Sequence, residues 1–136
     1  MRVKLVEAIL SDLKKSKRYK NLYKNIVPLW TDIPRFPAVS VLYESEHKDL
    51  SRLSGNRFYY EGIILIYLFN KQKSANSYED VLSDFITEIY TLIKNNTYLR
   101  NNTIDCSVAE MKREGGIVHP YAIAQIKITV KYQQTV

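Results

Sequence analysis

Residues 58–69 constrain the fold of this chain more than any other segment. They read Phe-Tyr-Tyr-Glu-Gly-Ile-Ile-Leu-Ile-Tyr-Leu-Phe, a run of β-branched and aromatic residues that suits a pleated strand. Both alternating sets are largely apolar: Phe58, Tyr60, Ile64, Ile66 and Leu68 on one side, and Tyr59, Ile63, Leu65, Tyr67 and Phe69 on the other. A strand of this kind has to be covered on both faces. The chain has only 136 residues, enough for one core, and few helices with which to cover a sheet twice. A second cover is therefore expected from another subunit, packed on Tyr59, Ile63, Leu65 and Tyr67.

The remaining segments fall into place around that strand. Val3, Val6, Leu10 and Leu13, with Leu5 and Ile9 beside them, recur at spacings of three and four and predict a helix over about residues 2–15. Lys14, Lys15, Lys17, Arg18 and Lys20 follow without apolar periodicity, so a frayed helix end or loop is expected there. Pro28, Pro34 and Pro37 make residues 25–37 an irregular connection that carries Trp30 and Phe36 into the core. Residues 38–44 alternate as a strand with Val39, Val41 and Tyr43 on one face, and residues 45–56 form a polar excursion ending in the turn signal Gly55-Asn56. Ser77 and Asp80 resemble a capping box ahead of a helix through about Lys94, whose apolar side is Val81, Phe85, Ile89 and Leu92. Residues 103–112 and 121–132 then read as a hairpin with Gly115-Gly116 in the connection. The expected fold class is α+β: one domain over residues 1–136, ordered α-β-β-α-β-β, with a mainly antiparallel sheet packed by two helices.

Charge is unevenly distributed. Residues 1–24 hold eight basic and two acidic side chains, whereas residues 25–136 hold twelve of each. A neutral body with a basic N-terminal helix and loop excludes a protein that wraps duplex DNA, which needs positive charge along the whole phosphate track. Lys14, Lys15, Lys17, Arg18, Tyr19 and Lys20 remain candidates for a weak nucleic-acid contact, with cations on phosphates and a ring stacked on a base. The competing reading is a solvated helix end. The eleven tyrosines carry the same ambiguity, since tyrosine fills cores and is also enriched at protein interfaces.

Reactive chemistry is thinly represented. The chain has one cysteine, Cys106, and two histidines, His47 and His119, too few for structural zinc. Cys106 lies in strand register between Ile104 and Val108, where a thiol behaves as a small hydrophobe. The one enzymatic pattern is Glu110-Met111-Lys112, an acid and a lysine on one strand face as in a metal-dependent nuclease. It needs a second carboxylate. The odd separation from Asp105 sends that residue to the opposite face, leaving Glu61 or Asp84 to supply it. No cofactor is expected. With one cysteine, no long apolar run and a charged amphipathic start, the reading is cytoplasmic, with no membrane partner.

With these elements in order, the chain resembles the tail terminator, or tail-completion, proteins of long-tailed bacteriophages. The resemblance is carried by the N-terminal helix, the proline-led strand Phe36-Pro37-Ala38-Val39-Ser40-Val41-Leu42, the long strand at residues 59–69, the helix at residues 78–94, and the closing strand at residues 122–132. It implies a non-enzymatic virion assembly protein, assembled in the host cytoplasm as a homo-oligomeric ring, a hexamer, at the tail and neck. The ring would cap the tail tube protein and offer a surface to the head connector or stopper, with DNA passing through its lumen without sequence-specific contact. Ser45, Glu46, His47, Lys48, Asp49, Arg52 and Arg57 would then serve as a docking loop. A lumen that lets DNA slide places the basic segment either outward or in weak, salt-screened contact. The alternatives are a metal-dependent nuclease using Glu110 and Lys112, and a small basic module that binds single-stranded nucleic acid.

Overall fold

The computed structural model describes residues 2–26, 28, 32–48, 57–71, 75–95, 103, 105–118 and 121–135. The N-terminal helix, α1 (Arg2–Ser16), forms because Leu5, Val6, Ile9 and Leu13 recur on one side, and all four are buried. It stops where Lys17 takes a left-handed backbone, with φ 57°, and returns its N–H to Lys14 O at 3.3 Å. Lys14 and Lys15 occupy the last turn, where cations suit the negative end of the helix dipole.

Residues 17–20 form the loop expected after α1, and a short strand follows it. Asn21–Lys24 is a strand, β1, that pairs in parallel with the start of β2 (Ala38–Lys48). Its four residues, Asn-Leu-Tyr-Lys, lack a strand pattern of their own, and distant partners hold them. Lys20 N–H donates to Pro37 O at 2.7 Å, Asn25 N–H to Val41 O at 2.9 Å, and Asn21 Nδ2 to Arg35 O at 2.9 Å. Phe36 packs on a small buried cluster of Ile33, Ala38 and Phe69; Trp30 lies outside the described residues.

Three further strands and a helix complete the domain: β3 (Arg57–Lys71), α2 (Ala75–Asn95), β4 (Asp105–Val118) and β5 (Tyr121–Thr135). The sheet order is β1-β2-β3-β5-β4, antiparallel throughout except at β1. The fold is thus α+β, as expected, with one strand more than the sequence pattern predicts. Several element boundaries move. Because β2 stays paired with β3 through Lys48↔Tyr60, Ser45, Glu46, His47 and Lys48 are strand where a loop was expected. Arg57 opens β3 opposite Thr135, while Asp49 and Arg52 lie outside the described residues. Ser77 stands inside α2, and Gly115 and Gly116 belong to β4, where pairing with β5 becomes irregular between Gly115 and Val118.

Both helices pack on one face of the sheet. Their buried residues (Leu5, Val6, Ile9 and Leu13 of α1; Leu82, Phe85, Ile89 and Leu92 of α2) join Val39, Val41, Ile64, Ile66, Leu68, Ala124, Ile126, Ile128 and Val130 in one apolar cluster. This accounts for one of the two apolar sets of β3. The other set faces away from the helices. No helix of the described residues is long and apolar enough to cross a membrane.

Candidate functional site

Register alone brings the predicted packing residues together. Tyr59, Ile63, Leu65 and Tyr67 occupy alternate positions of β3 on the helix-free face, between Ser40 and Leu42 of β2 and Gln125, Lys127 and Thr129 of β5. One corner of that face is closed by the chain itself. Ile33, Ala38 and Phe69 are buried there, with Tyr23, Phe36, Tyr67 and Ile123 packed against them. The Tyr67 and Phe69 rings stack with centroids 6.2 Å apart, and buried Ser40 donates its hydroxyl to Ile26 O. Leu65 is only 5% exposed, and Tyr59, Ile63 and Tyr67 are half-buried.

The outer end of the sheet carries a tyrosine cluster on the helix side. Tyr132 donates its hydroxyl to the Glu46 carboxylate, contacts the Tyr43 hydroxyl at 3.2 Å, and stacks on Tyr60 with centroids 5.5 Å apart. Tyr43 bonds the same carboxylate at 3.4 Å. Glu46 therefore ties the outer half of β2 to β5. The sequence signal for it was the β2 pattern, which continues past Glu44 once the irregularity between Tyr43 and Ser45 is allowed for.

The basic segment divides. Tyr19 is 8% exposed, sits edge-on to Phe85 at 6.1 Å, and donates its hydroxyl to Glu88 Oε2 at 2.7 Å. Arg18 bonds the same oxygen at 3.1 Å. These two residues join α1 to α2, and a buried ring cannot stack on a base, which corrects the expectation for Tyr19. Lys14, Lys15, Lys17 and Lys20 are exposed. The groove between the helices, about 560 Å³, is lined by Asp12, Arg18, Asp84 and Glu88 among others, a carboxylate-rich lining ill-suited to phosphate.

Burial, reinforced by Glu88, pushes the Tyr19 hydroxyl well above the ordinary tyrosine value. Burial, reinforced by Glu46, does the same for Tyr132. A group whose folded pKa is raised contributes stability in full below its unfolded pKa, about 10 for tyrosine, and loses it as pH rises further. Urea unfolding midpoints should therefore fall between pH 10 and 11.5, and less steeply in a Tyr19→Phe/Tyr132→Phe double variant. Equal slopes would show that the two hydroxyls do not couple to folding.

The nuclease residues are brought together differently from expectation. Glu110 and Lys112 form an exposed ion pair at 3.4 Å. The irregularity between Val108 and Glu110 adds a residue to β4, so Asp105 falls on the same face as Glu110, not the opposite one. Asp105 is aligned with Lys131 and Glu110 with Lys127, which separates them by about 14 Å along the strand, too far to share an ion. Glu61 is paired with Lys131 two strands away from β4, and Asp84 lies on α2 beyond the sheet. Among the described residues, no group of three or more His, Cys, Asp or Glu could hold a metal ion. Cys106 packs half-buried against the main core, His47 is exposed on β2, and His119 lies outside the described residues.

Comparison with known proteins gives the geometry a family. No curated protein sequence matches the chain. Among solved structures, the fold matches the sheath/tube terminator of an extracellular contractile injection system, called PVC, in its extended state. The TM-score is 0.56 at 13% identity, over 100% of this chain and 57% of that one. The chain thus spans little more than half the length of that terminator. The profile of the Bacteriophage Tail Tube Terminator Protein family matches residues 1–136. From its first residue to its last, the chain belongs to the bacteriophage tail tube terminator family.

Proposed function

We propose that this protein is a virion assembly protein that caps the phage tail tube, stops its polymerisation, and acts without catalysing a reaction. The observation that carries this reading is the match of the terminator family over the whole chain. The helix-free face supports it, because half-buried Tyr59, Ile63 and Tyr67 give a small domain an apolar surface on which another protein can pack. In the finer picture the chain closes into a homo-oligomeric ring, a hexamer, in the host cytoplasm. One side of the ring meets the last layer of tube protein and the other the head connector, and DNA passes through the lumen without sequence-specific contact. The polar ribbon that begins at Ser45, His47 and Lys48 is the docking arm, and exposed Lys14, Lys15, Lys17 and Lys20 make at most weak, salt-screened contacts with DNA.

Polymerising the tail tube protein in the presence of this chain tests the reading. Mean tube length should fall as the molar ratio of this chain rises, and the chain should be found at one tube end by gold labelling. Unchanged lengths, with the chain a non-interacting monomer at every concentration, would overturn it.

A further inference from the structure

Among the described residues the sheet has two edges along which no further strand pairs. β4 is the last strand, and among the described residues no strand lies beyond it. On the other side β1 accompanies β2 only along residues 38–41, after which Asn25 takes over. Its N–H donates to Val41 O at 2.9 Å and its Oδ1 accepts from Tyr43 N–H at 3.2 Å. β2 then runs on to Lys48 with no described strand on that side. Glu44, Ser45 and His47 are exposed there, as are Ser107, Ala109, Glu110 and Lys112 on β4. Strand edges of this kind template pairing with another chain.

Level, direction and side-chain chemistry of the two edges match. Ser45 is aligned with Ile63, Ile63 with Thr129, and Thr129 with Ser107, so both stretches lie at the same height on opposite sides of the sheet. The ladders β2–β3, β3–β5 and β5–β4 are all antiparallel; β2 and β4 therefore run in opposite directions. A second copy, rotated about an axis along the strands, brings its β2 beside β4 in antiparallel orientation. Such a contact joins two different patches and closes into a ring when the rotation fits. One row across the sheet reads His47, Glu61, Lys131, with Asp105 at the β4 position, and the next copy's His47 would stand beside Asp105 as a polar neighbour. Met111, 49% exposed, adjoins a groove of about 230 Å³ lined by Leu82, Ile86 and Lys112, apolar surface at the β4 edge that an added strand would cover.

We propose that β4 of one copy pairs antiparallel with the outer half of β2 of the next, so that β2, β3, β5 and β4 of successive copies form one continuous sheet around the ring. This assignment of the contact rests on the ring reading above and places the subunit boundary on strand edges rather than on the helix-free face.

Disulfide trapping tests it. Within one copy, Ser45 and Ser107 are three strand spacings apart, about 14 Å, whereas a disulfide needs Cα atoms within about 7 Å; a bond between them must join two copies. In a Cys106→Ala background, Ser45→Cys combined with Ser107→Cys should give, on oxidation, a non-reducing gel ladder rising in one-chain steps and collapsing with reductant. Ser45→Cys alone should give dimers at most. Pairing Ser45→Cys with Asp105→Cys or Glu110→Cys covers a register shifted by two residues either way, and circular dichroism melting verifies that each variant is folded. A ring of native size with no ladder from any pair would overturn the edge pairing and leave the ring reading standing. So would trapping of the tube protein on either edge in place of a second copy. A chain that stays monomeric at all concentrations, with and without tube protein, would overturn both.

Discussion

Replacing Phe85 by alanine is expected to cost about 3–5 kcal/mol of folding stability, the range for truncating a buried aromatic ring. Phe85 is fully buried, in the cluster where both helices meet the sheet. Its ring is also the wall against which Tyr19 packs edge-on. Truncation therefore opens a cavity in the core and removes support from the Tyr19–Glu88 hydrogen bond that ties the end of α1 to α2. Since a domain of this size is stable by only about 5–15 kcal/mol, the variant should lose a large part of its reserve. Urea unfolding would show a lower midpoint at an unchanged slope. Tyr90→Ala, on the same helix but 52% exposed, should stay within about 0.5 kcal/mol. If Phe85→Ala cost less than about 1 kcal/mol, the packing of α2 on the sheet as described would be wrong.

The second large effect is expected at Gly62. A Cβ built there would collide with the Tyr43 hydroxyl and come within 2.6 Å of Tyr43 Cζ, because the Tyr43 side chain crosses over β3 to reach Tyr132 and Glu46. Gly62→Ala must push this ring away. The cost combines overpacking, about 1–3 kcal/mol, with weakened hydrogen bonds inside the tyrosine cluster. Shortening Tyr43 removes the collision. In a Tyr43→Ala background, Gly62→Ala should be neutral or slightly stabilising, since alanine loses less chain entropy than glycine on entering a strand. The double-mutant cycle should therefore report a coupling above about 1 kcal/mol. Additive effects would mean that Tyr43 does not lie over Gly62.

How much of this was legible beforehand follows from which interactions are local. α1 was readable because Leu5, Val6, Ile9 and Leu13 repeat at helical spacing, a property of neighbouring residues. The doubly apolar strand was readable for the same reason, and its Tyr59, Ile63, Leu65 and Tyr67 fell on one face as the period of two requires. β1 was not readable, because its partners, Pro37, Arg35 and residues 38–41, are brought in by the return of the chain. Tyr19 is hidden in the sequence for a related reason: in a lysine-rich run it reads as solvated, and only Phe85 and Glu88, more than sixty residues on, make it part of the core. The face of Asp105 does not follow from residue spacing, because a bulge changes strand parity without leaving a sequence mark of its own. Family membership was legible in the order of elements, and the whole-chain match agrees with it.

The sequence by itself determined the apolar periodicities, hence the two helices, the long central strand, the closing hairpin and the α+β class, because these depend on contacts between residues near in the chain. Only the tertiary structure decided that both helices lie on one face, that the sheet runs β1-β2-β3-β5-β4, and that β4 and the outer half of β2 stand at its margins among the described residues. Those outcomes depend on hydrogen bonds and packing between segments far apart in sequence, and the bulges that set strand parity become visible only once the strands are paired. The strand apolar on both faces pointed to a partner from the start; the fold buries one of its faces under two helices and part of the other under the chain's own connection from β1 to β2.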